Sequence, residues 1–372
     1  METAPHAPEL KTSPAVFAVG DRYQIIAETA FPSLFSVKVG EDTYFDAANG
    51  IMRSMCGVHR VSVPMAALNG AKAYTVRVTP IAERKPYFTR TGDSAEFRYP
   101  FCPVPEKNVR AYHIADCHNL TDEPVAAAGA FGAFDFLILN GDVIDHSGSP
   151  DKFANIYRIC ARLTEGSRPV VLSRGNHDMR GEYAERFADY TPNDRGNTFY
   201  SFRLGSVWGV VLDCGEDKED GHPEYGLTVA CHSFRLRQTA FLKALAARAE
   251  QEFRAPGVTT RLVIAHIPFT EQFEPPFRIE EDIYRAWCAL LKEHIKPHLM
   301  LFGHTHKTEV RLPGGPKDGY GQPCPAVIAS ELKENKYWAG CGMTFRDGGA
   351  DLVFTDCLGA EIGRESVSWQ DT

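Results

Sequence analysis

Five apolar segments of this chain end in residues that can hold a metal ion. Residues 109–115 run into Asp116-Cys117-His118, and residues 134–140 into Gly141-Asp142. Residues 170–172 lead to Arg174-Gly175-Asn176-His177-Asp178. Residues 262–265 end at His266, and residues 299–302 at Gly303-His304-Thr305-His306. Carboxylates, imidazoles and one amide form an oxygen and nitrogen donor set suited to Mn, Fe or Zn. Such ions polarise bound oxygens and activate water, which is hydrolytic chemistry. No C-x-x-C occurs, so a cysteine-rich structural zinc site is not indicated. Asp116 and His118 are two residues apart, so an extended chain would aim both at one face and turn Cys117 into the core. His304 and His306 repeat the spacing. Gly141, Gly175 and Gly303 let the backbone turn sharply beside them.

The elements that must position these residues alternate. Strands are expected at 109–115, 134–139, 170–172, 208–212, 262–265 and 299–302. Helices are expected at 125–131, 152–163, 234–253 and 280–294. In the third helix Phe234, Phe241, Leu242, Leu245 and Phe253 share a face, with Ser233 as N-cap. Alternation of this kind implies a largely parallel sheet covered by helices, with ligands at the C-terminal strand edge. After Thr308 the pattern returns to strands, ending near 351–354 and 366–369. The first hundred residues read differently. Short alternating segments at 23–27, 35–39, 61–63 and 74–78, joined by turn residues, predict an antiparallel sandwich. Residues 68–78, centred on Tyr74, resemble the tyrosine-corner strand of fibronectin-III and immunoglobulin-like domains. Pro100, Pro103 and Pro105 mark a linker. Two units are therefore expected, an Ig/fibronectin-III-like β-sandwich over 1–104 and a catalytic domain over 105–372.

Composition sets outer bounds. The 372 residues are 44% apolar and 24% charged, as in globular proteins. A net charge of −8 argues against nucleic acid and anionic membrane as partners. The N-terminus shows neither the basic region nor the apolar run of a signal peptide, and no membrane span is visible. The ten scattered cysteines suit buried, reduced thiols, and a cytoplasmic location is expected.

Taken in order, D-x-H, G-D-x-x-D, G-N-H-D, a lone His and G-H-x-H resemble the calcineurin-like metallophosphoesterase family over about residues 109–310. The resemblance implies an α/β fold, an αββα sandwich, with two divalent or trivalent metal ions. It implies that Asp116, His118, Asp142 and His306 hold one ion, and Asp142, Asn176, His266 and His304 the other, with Asp142 bridging. His177 would contact the leaving-group oxygen, oriented by Asp145 or by Asp178. A hydroxide bridging the metals would attack the phosphate ester, a diester in preference to a monoester. Four metal charges against two from Asp116 and Asp142 and one from hydroxide leave the site net positive, so an anionic small-molecule ester is attracted despite the acidic chain. Two departures matter. Purple acid phosphatases, which also carry a fibronectin-like domain, place Tyr three residues after the bridging Asp; here stands Asp145. Ser/Thr protein phosphatases carry Arg after the second Asp of G-D-x-x-D; here stands His146. The competing readings are a non-catalytic scaffold on the same fold, and a nucleotide hydrolase or nuclease.

Around this set, His146 and Arg174 are candidates for substrate contact. His113 is expected in the core, and His222 and His232 at the surface. Residues 216–220 read as a solvated loop tip. The long connections at 215–232 and 269–278 sit where specificity elements occur. Phe269, Phe273, Phe277 and Arg278 would form either a substrate wall or an inter-domain or oligomer contact.

Overall fold

The computed structural model describes residues 9–369. The N-terminal stretch read for a signal peptide begins in residues 1–8, outside the described residues, as do the first eight of the expected N-terminal unit.

Period-two alternation of apolar residues builds the layers. Ala111, Phe136, Ile138 and Val171 share a core with Val211, Leu262, Ile264 and Leu301 of a second sheet. Their neighbours Tyr112, Leu137, Leu139 and Val170 point the other way, onto Ala127, Ile156 and Cys160. Those last residues belong to the helices Asp122–Phe131 and Ala154–Thr164. In the second sheet Trp208, Val210, Val263 and Met300 likewise face Leu242, Leu245, Ile283 and Trp287. These lie on the helices Cys231–Ala247 and Glu281–Leu290. The result is helix, sheet, sheet, helix, as expected. Strands Arg110–Ile114, Phe136–Asn140 and Pro169–Ser173 pair in parallel. So do Val207–Val211, Thr260–Ile264 and Leu299–Phe302. Parallel pairing puts their C-terminal ends on one edge. Beyond residue 308, Trp338–Arg346, Gly349–Asp356 and Glu361–Ser368 extend the first sheet in antiparallel fashion.

The N-terminal segment is shared between two sheets. Ala15–Val19, which the sequence reading left unassigned, pairs in parallel with Pro169–Ser173. Arg22–Glu28 and Val58–Pro64 continue that sheet. Backbone hydrogen bonding thus crosses the expected division between 104 and 105. Ser33–Val39, Asp42–Phe45, Ala73–Lys85, Phe88–Thr91 and Ala95–Pro100 form a separate five-stranded antiparallel sheet. A helix, Met65–Ala71, also lies here where none was expected. Tyr74 is buried, and its hydroxyl donates to the Gly166 carbonyl 92 residues away at 2.8 Å. A tyrosine corner bonds backbone a few residues upstream; Tyr74 instead ties the small sheet to the loop before Pro169–Ser173.

Two local expectations are corrected. Ser233 lies inside the helix Cys231–Ala247, and the first N–H groups are capped from a distance. Cys231 N and His232 N donate to the two Asp220 carboxylate oxygens at 2.9 and 3.1 Å, where a negative charge also suits the helix dipole. Residues 216–220 are not a solvated tip. Glu216 is buried and accepts both Nε and Nη2 of Arg180, at 3.1 and 3.0 Å. All ten cysteines are free, and most are buried. No helix among the described residues is long and apolar enough to cross a membrane.

Candidate metal centre

The residues following the five strands converge, though not through an extended chain. Asp116, His118, Asp142, His304 and His306 all have positive φ, between 44° and 68°. The same-face reading of Asp116 with His118 and of His304 with His306 therefore fails. Each sits in a left-handed turn, which costs a non-glycine residue on the order of 1–3 kcal/mol and persists where the surroundings enforce it. Such strain gathers at functional sites. The enforcing bonds come from other strand ends. Asp116 N and His118 N donate to the Gly141 and Asp142 carbonyls at 3.1 and 2.9 Å. His304 N donates to Asp116 Oδ2 at 2.9 Å.

Glycine permits the crowding. A Cβ on Gly175 would stand 2.1 Å from Asp142 Oδ1. One on Gly141, whose φ is 81°, would stand 2.6 Å from the His266 ring. These glycines serve close approach as much as turning.

The donor atoms cluster, with the Asn176–His304 pair next to the rest through the His266 and His304 rings, 5.5 Å apart. Asp142 is 2% exposed, and its Oδ2 lies 3.1 Å from His266 Nε2 and 3.9 Å from His118 Nε2. Asp116, fully buried, has Oδ1 at 3.7 Å from His266 Nε2 and 3.4 Å from His306 Nε2. His118 and His306 approach to 3.3 Å through their Nε2 atoms, and Asn176 Oδ1 lies 3.1 Å from His304 Nδ1. All seven expected ligand residues are thus brought together. His266 Nε2 is buried beside two carboxylates, 3.1 Å from Asp142 Oδ2 and 3.7 Å from Asp116 Oδ1, a position that a proton or a metal cation would balance. Its Nδ1 donates to the Asn140 carbonyl at 2.7 Å, so Nε2 is the nitrogen left to coordinate.

Charge is strongly coupled. Burial would lower the His266 pKa, but the carboxylates of Asp142 and Asp116 override it and push it up to about 10. Burial would raise Asp142, but His266, then His177 and His118, holds it well below the usual carboxylate range. Burial and the His266 charge push His304 down to about 4. Burial and the Asp142 charge push Asp178 up to about 7.

Of the flanking residues, Asp178 takes the two N–H groups of Gly175 and Asp142 at 2.7 and 3.2 Å, so it organises the loop. His177 Nδ1 instead lies 3.0 Å from the Asp145 backbone carbonyl and 3.8 Å from its carboxylate. Arg174 is engaged by buried Asp213 at 2.7 Å and stacks on Phe187 and Phe234. His146 accepts the Gly148 N–H at 3.0 Å. His113 is a core residue, as expected. Its Nε2 faces the Asn140 amide at 3.0 Å, and that amide also reaches the carbonyls of Ala265 and Leu301. The sequence reading missed Asn140, which joins the two sheets and orients His266. Its only signal was an amide at the end of an apolar strand. His232 pairs with Glu280 at 2.9 Å, and His222 accepts the Glu224 N–H at 3.3 Å, so neither joins the centre. A separate group, Asp46, Cys56 and His59, lies between the N-terminal sheets, with Asp46 already engaged by His59 at 2.8 Å and Arg53 at 3.5 Å.

The profile of the calcineurin-like phosphoesterase family matches residues 109–308. Among solved structures, a purple acid phosphatase from yellow lupin (Lupinus luteus) seeds is similar over 96% of this chain and 74% of its own, at 14% identity and a TM-score of 0.59. A conserved uncharacterized protein of Streptococcus pneumoniae is 11% identical, covering 70% of this chain and 98% of its own, with a TM-score of 0.30. Vacuolar Protein Sorting 29 of Cryptosporidium parvum is 10% identical, with coverages of 70% and 99% and a TM-score of 0.36. No curated protein sequence matches.

Proposed function

Because the chain belongs to the calcineurin-like phosphoesterase family, we propose that it hydrolyses phosphate esters at a two-metal centre, with diesters favoured over monoesters. Asp116, His118, Asp142 and His306 hold one ion; Asp142, Asn176, His266 and His304 hold the other. Mn, Fe or Zn suits these donors. Bound there, two such ions supply activated water and positive charge for the phosphoryl oxygens. The remaining work falls to the chain. Asp142 carries its charge to both halves of the centre. Asn140 fixes the coordinating face of His266. His177, steadied by the Asp145 carbonyl, meets the departing oxygen. The observation that carries this reading is the buried Asp142 carboxylate with His266 at 3.1 Å and His118 at 3.9 Å. The preference for diesters rests on the pairing of D-x-H with G-N-H-D. Arg174 meets Asp213 through Nε and His146 takes the Gly148 N–H on Nδ1, so a substrate contact from either residue would come from its other nitrogen atoms. Free cysteines accord with a reducing compartment, and we place the protein in the cytoplasm. The small antiparallel sheet is the part for which we retain an Ig/fibronectin-like character. The test of the activity is Mn²⁺-dependent hydrolysis of nitrophenyl phosphate mono- and diesters, abolished by thorough chelation.

The raised His266 pKa has a measurable consequence. Below about pH 10 the cation-free chain holds a proton on His266 that an incoming metal must displace. Metal affinity should therefore rise about tenfold per pH unit between pH 6 and 8, with about one proton released per chain from this group. Calorimetric titration with Mn²⁺ in buffers of different ionisation enthalpy reads both quantities. Affinity flat across that range, with no proton exchange, would contradict a His266 that is protonated in the cation-free chain.

A further inference from the structure

Ala115 lies one residue beyond the strand Arg110–Ile114 and one before Asp116. The antiparallel register that sets Arg110 against Thr344 and His113 against Cys341 would set Ala115 against Ala339. Ala339 is taken instead by Glu331, of the short strand Glu331–Leu332. Ala115 is fully buried, so its backbone groups need other partners. Two side chains supply them. Ser330 Oγ accepts the Ala115 N–H at 2.7 Å, and the Trp338 indole N–H donates to the Ala115 carbonyl at 3.2 Å. Both side chains are fully buried, and they lie 215 and 223 residues further along the chain.

These bonds bear on Asp116. The peptide that joins residues 115 and 116 has its oxygen held by Trp338 and its N–H held by the Gly141 carbonyl at 3.1 Å. A peptide is planar, so fixing both polar atoms fixes the plane from which Asp116 makes its left-handed turn. Ser330 holds the preceding peptide in the same way. The same segment also reaches the strand end that leads to His304. Ala329 N donates to the Phe302 carbonyl at 3.1 Å. Adjacent residues 329 and 330 thus tie the two strand ends together, and those ends meet closely. A Cβ on Gly303 would stand 2.6 Å from Ala115 Cβ and 2.8 Å from Asp116 Oδ2. Ser330 itself has a φ of 103°, a region that side-chain-bearing residues rarely adopt. Such strain persists only where the surroundings enforce it, and it gathers beside functional sites.

We propose that Ser330 is a positioning residue for the metal centre, a role that rests on the two-metal reading given above. With Trp338 it holds the Ala115 backbone so that Asp116 presents its carboxylate to the ion shared with His118 and His306. The test titrates Mn²⁺ into the metal-free, full-length protein and follows the free ion by electron paramagnetic resonance. The wild type is expected to take up two ions. Ser330→Ala should weaken one of them by about 10–100-fold, the usual cost of losing a partner that orients a ligand, and leave the other near its wild-type affinity. Ser330→Gly removes the same hydroxyl but accepts the positive φ without strain. It should therefore melt at a higher temperature than Ser330→Ala and show the same metal loss. Asn176→Ala strips the other ion of a ligand, so combining it with Ser330→Ala should leave no tightly bound Mn²⁺. Wild-type affinity for both ions in the two Ser330 variants overturns the positioning role and leaves the metal centre standing. Metal loss confined to the lower-melting variant also overturns it, because the loss would then follow stability and not the hydroxyl. A double variant that still holds one ion tightly overturns it too, since the effect would lie on the wrong ion. Uptake of fewer than two ions by the wild type counts against the two-metal reading itself, and the role of Ser330 falls with it.

Discussion

Replacing Asp142 with alanine is expected to lower Mn²⁺-supported hydrolysis of a nitrophenyl phosphate ester by more than about a thousandfold, roughly 4 kcal/mol of transition-state free energy. The size follows from what one carboxylate does. Its Oδ2 faces His266 and His118, and its Oδ1 accepts the His177 N–H at 2.9 Å. Truncation removes the charge shared by the two proposed ion positions and also frees the turn that carries His177. Asp142→Asn separates these effects, because the amide keeps an acceptor for the His177 N–H and loses the charge. A comparable loss in both variants assigns the effect to metal binding. Activity within about tenfold of wild type in the alanine variant, with the fold checked by circular dichroism, would refute the proposed role.

His177→Ala is expected to slow esters with poor leaving groups by about 10²–10⁴-fold and nitrophenyl esters much less. The ring geometry gives the reason. A carbonyl oxygen only accepts, so the 3.0 Å contact with Asp145 O places a hydrogen on His177 Nδ1. Nε2 is then the nitrogen available to the departing oxygen, and it donates when the ring is protonated. A good leaving group has little need of that proton. Because the orienting group is a backbone carbonyl, Asp145→Asn should cost less than about tenfold. A rate plot against leaving-group pKa with the same slope for wild type and His177→Ala would remove this role.

Much of the candidate site was legible in the sequence because the proposed ligand residues are set by covalent neighbours. Each follows an apolar strand whose burial is readable, and parallel pairing then forces those strand ends together. The layers were legible for the same reason, since Ile138 and Leu139 alternate between two cores. What stayed hidden depends on partners far along the chain. Nothing near Asp116 or His304 announces a left-handed backbone; it is enforced by carbonyls of Gly141 and Asp142 and by the Asp116 carboxylate itself. Nothing near Arg174 announces that Asp213, 39 residues on, holds its Nε. Glu216 and Asp217 look solvent-bound in a run of charges, and Arg180, Lys218 and the Tyr225 hydroxyl make their burial tolerable. Local texture at Tyr74 and the strand Ala15–Val19 suggested a separate sandwich, whereas the strand pairs with Pro169–Ser173 and Tyr74 bonds Gly166, 92 residues on, contacts that no local pattern announces.

Anomalous diffraction from crystals grown with Mn²⁺ addresses the metal centre most directly. Two peaks are expected, about 3.5–4 Å apart, one on each side of the Asp142 carboxylate. A single peak, or ions bound without contact to Asp142 and His266, would contradict a two-metal centre at this position.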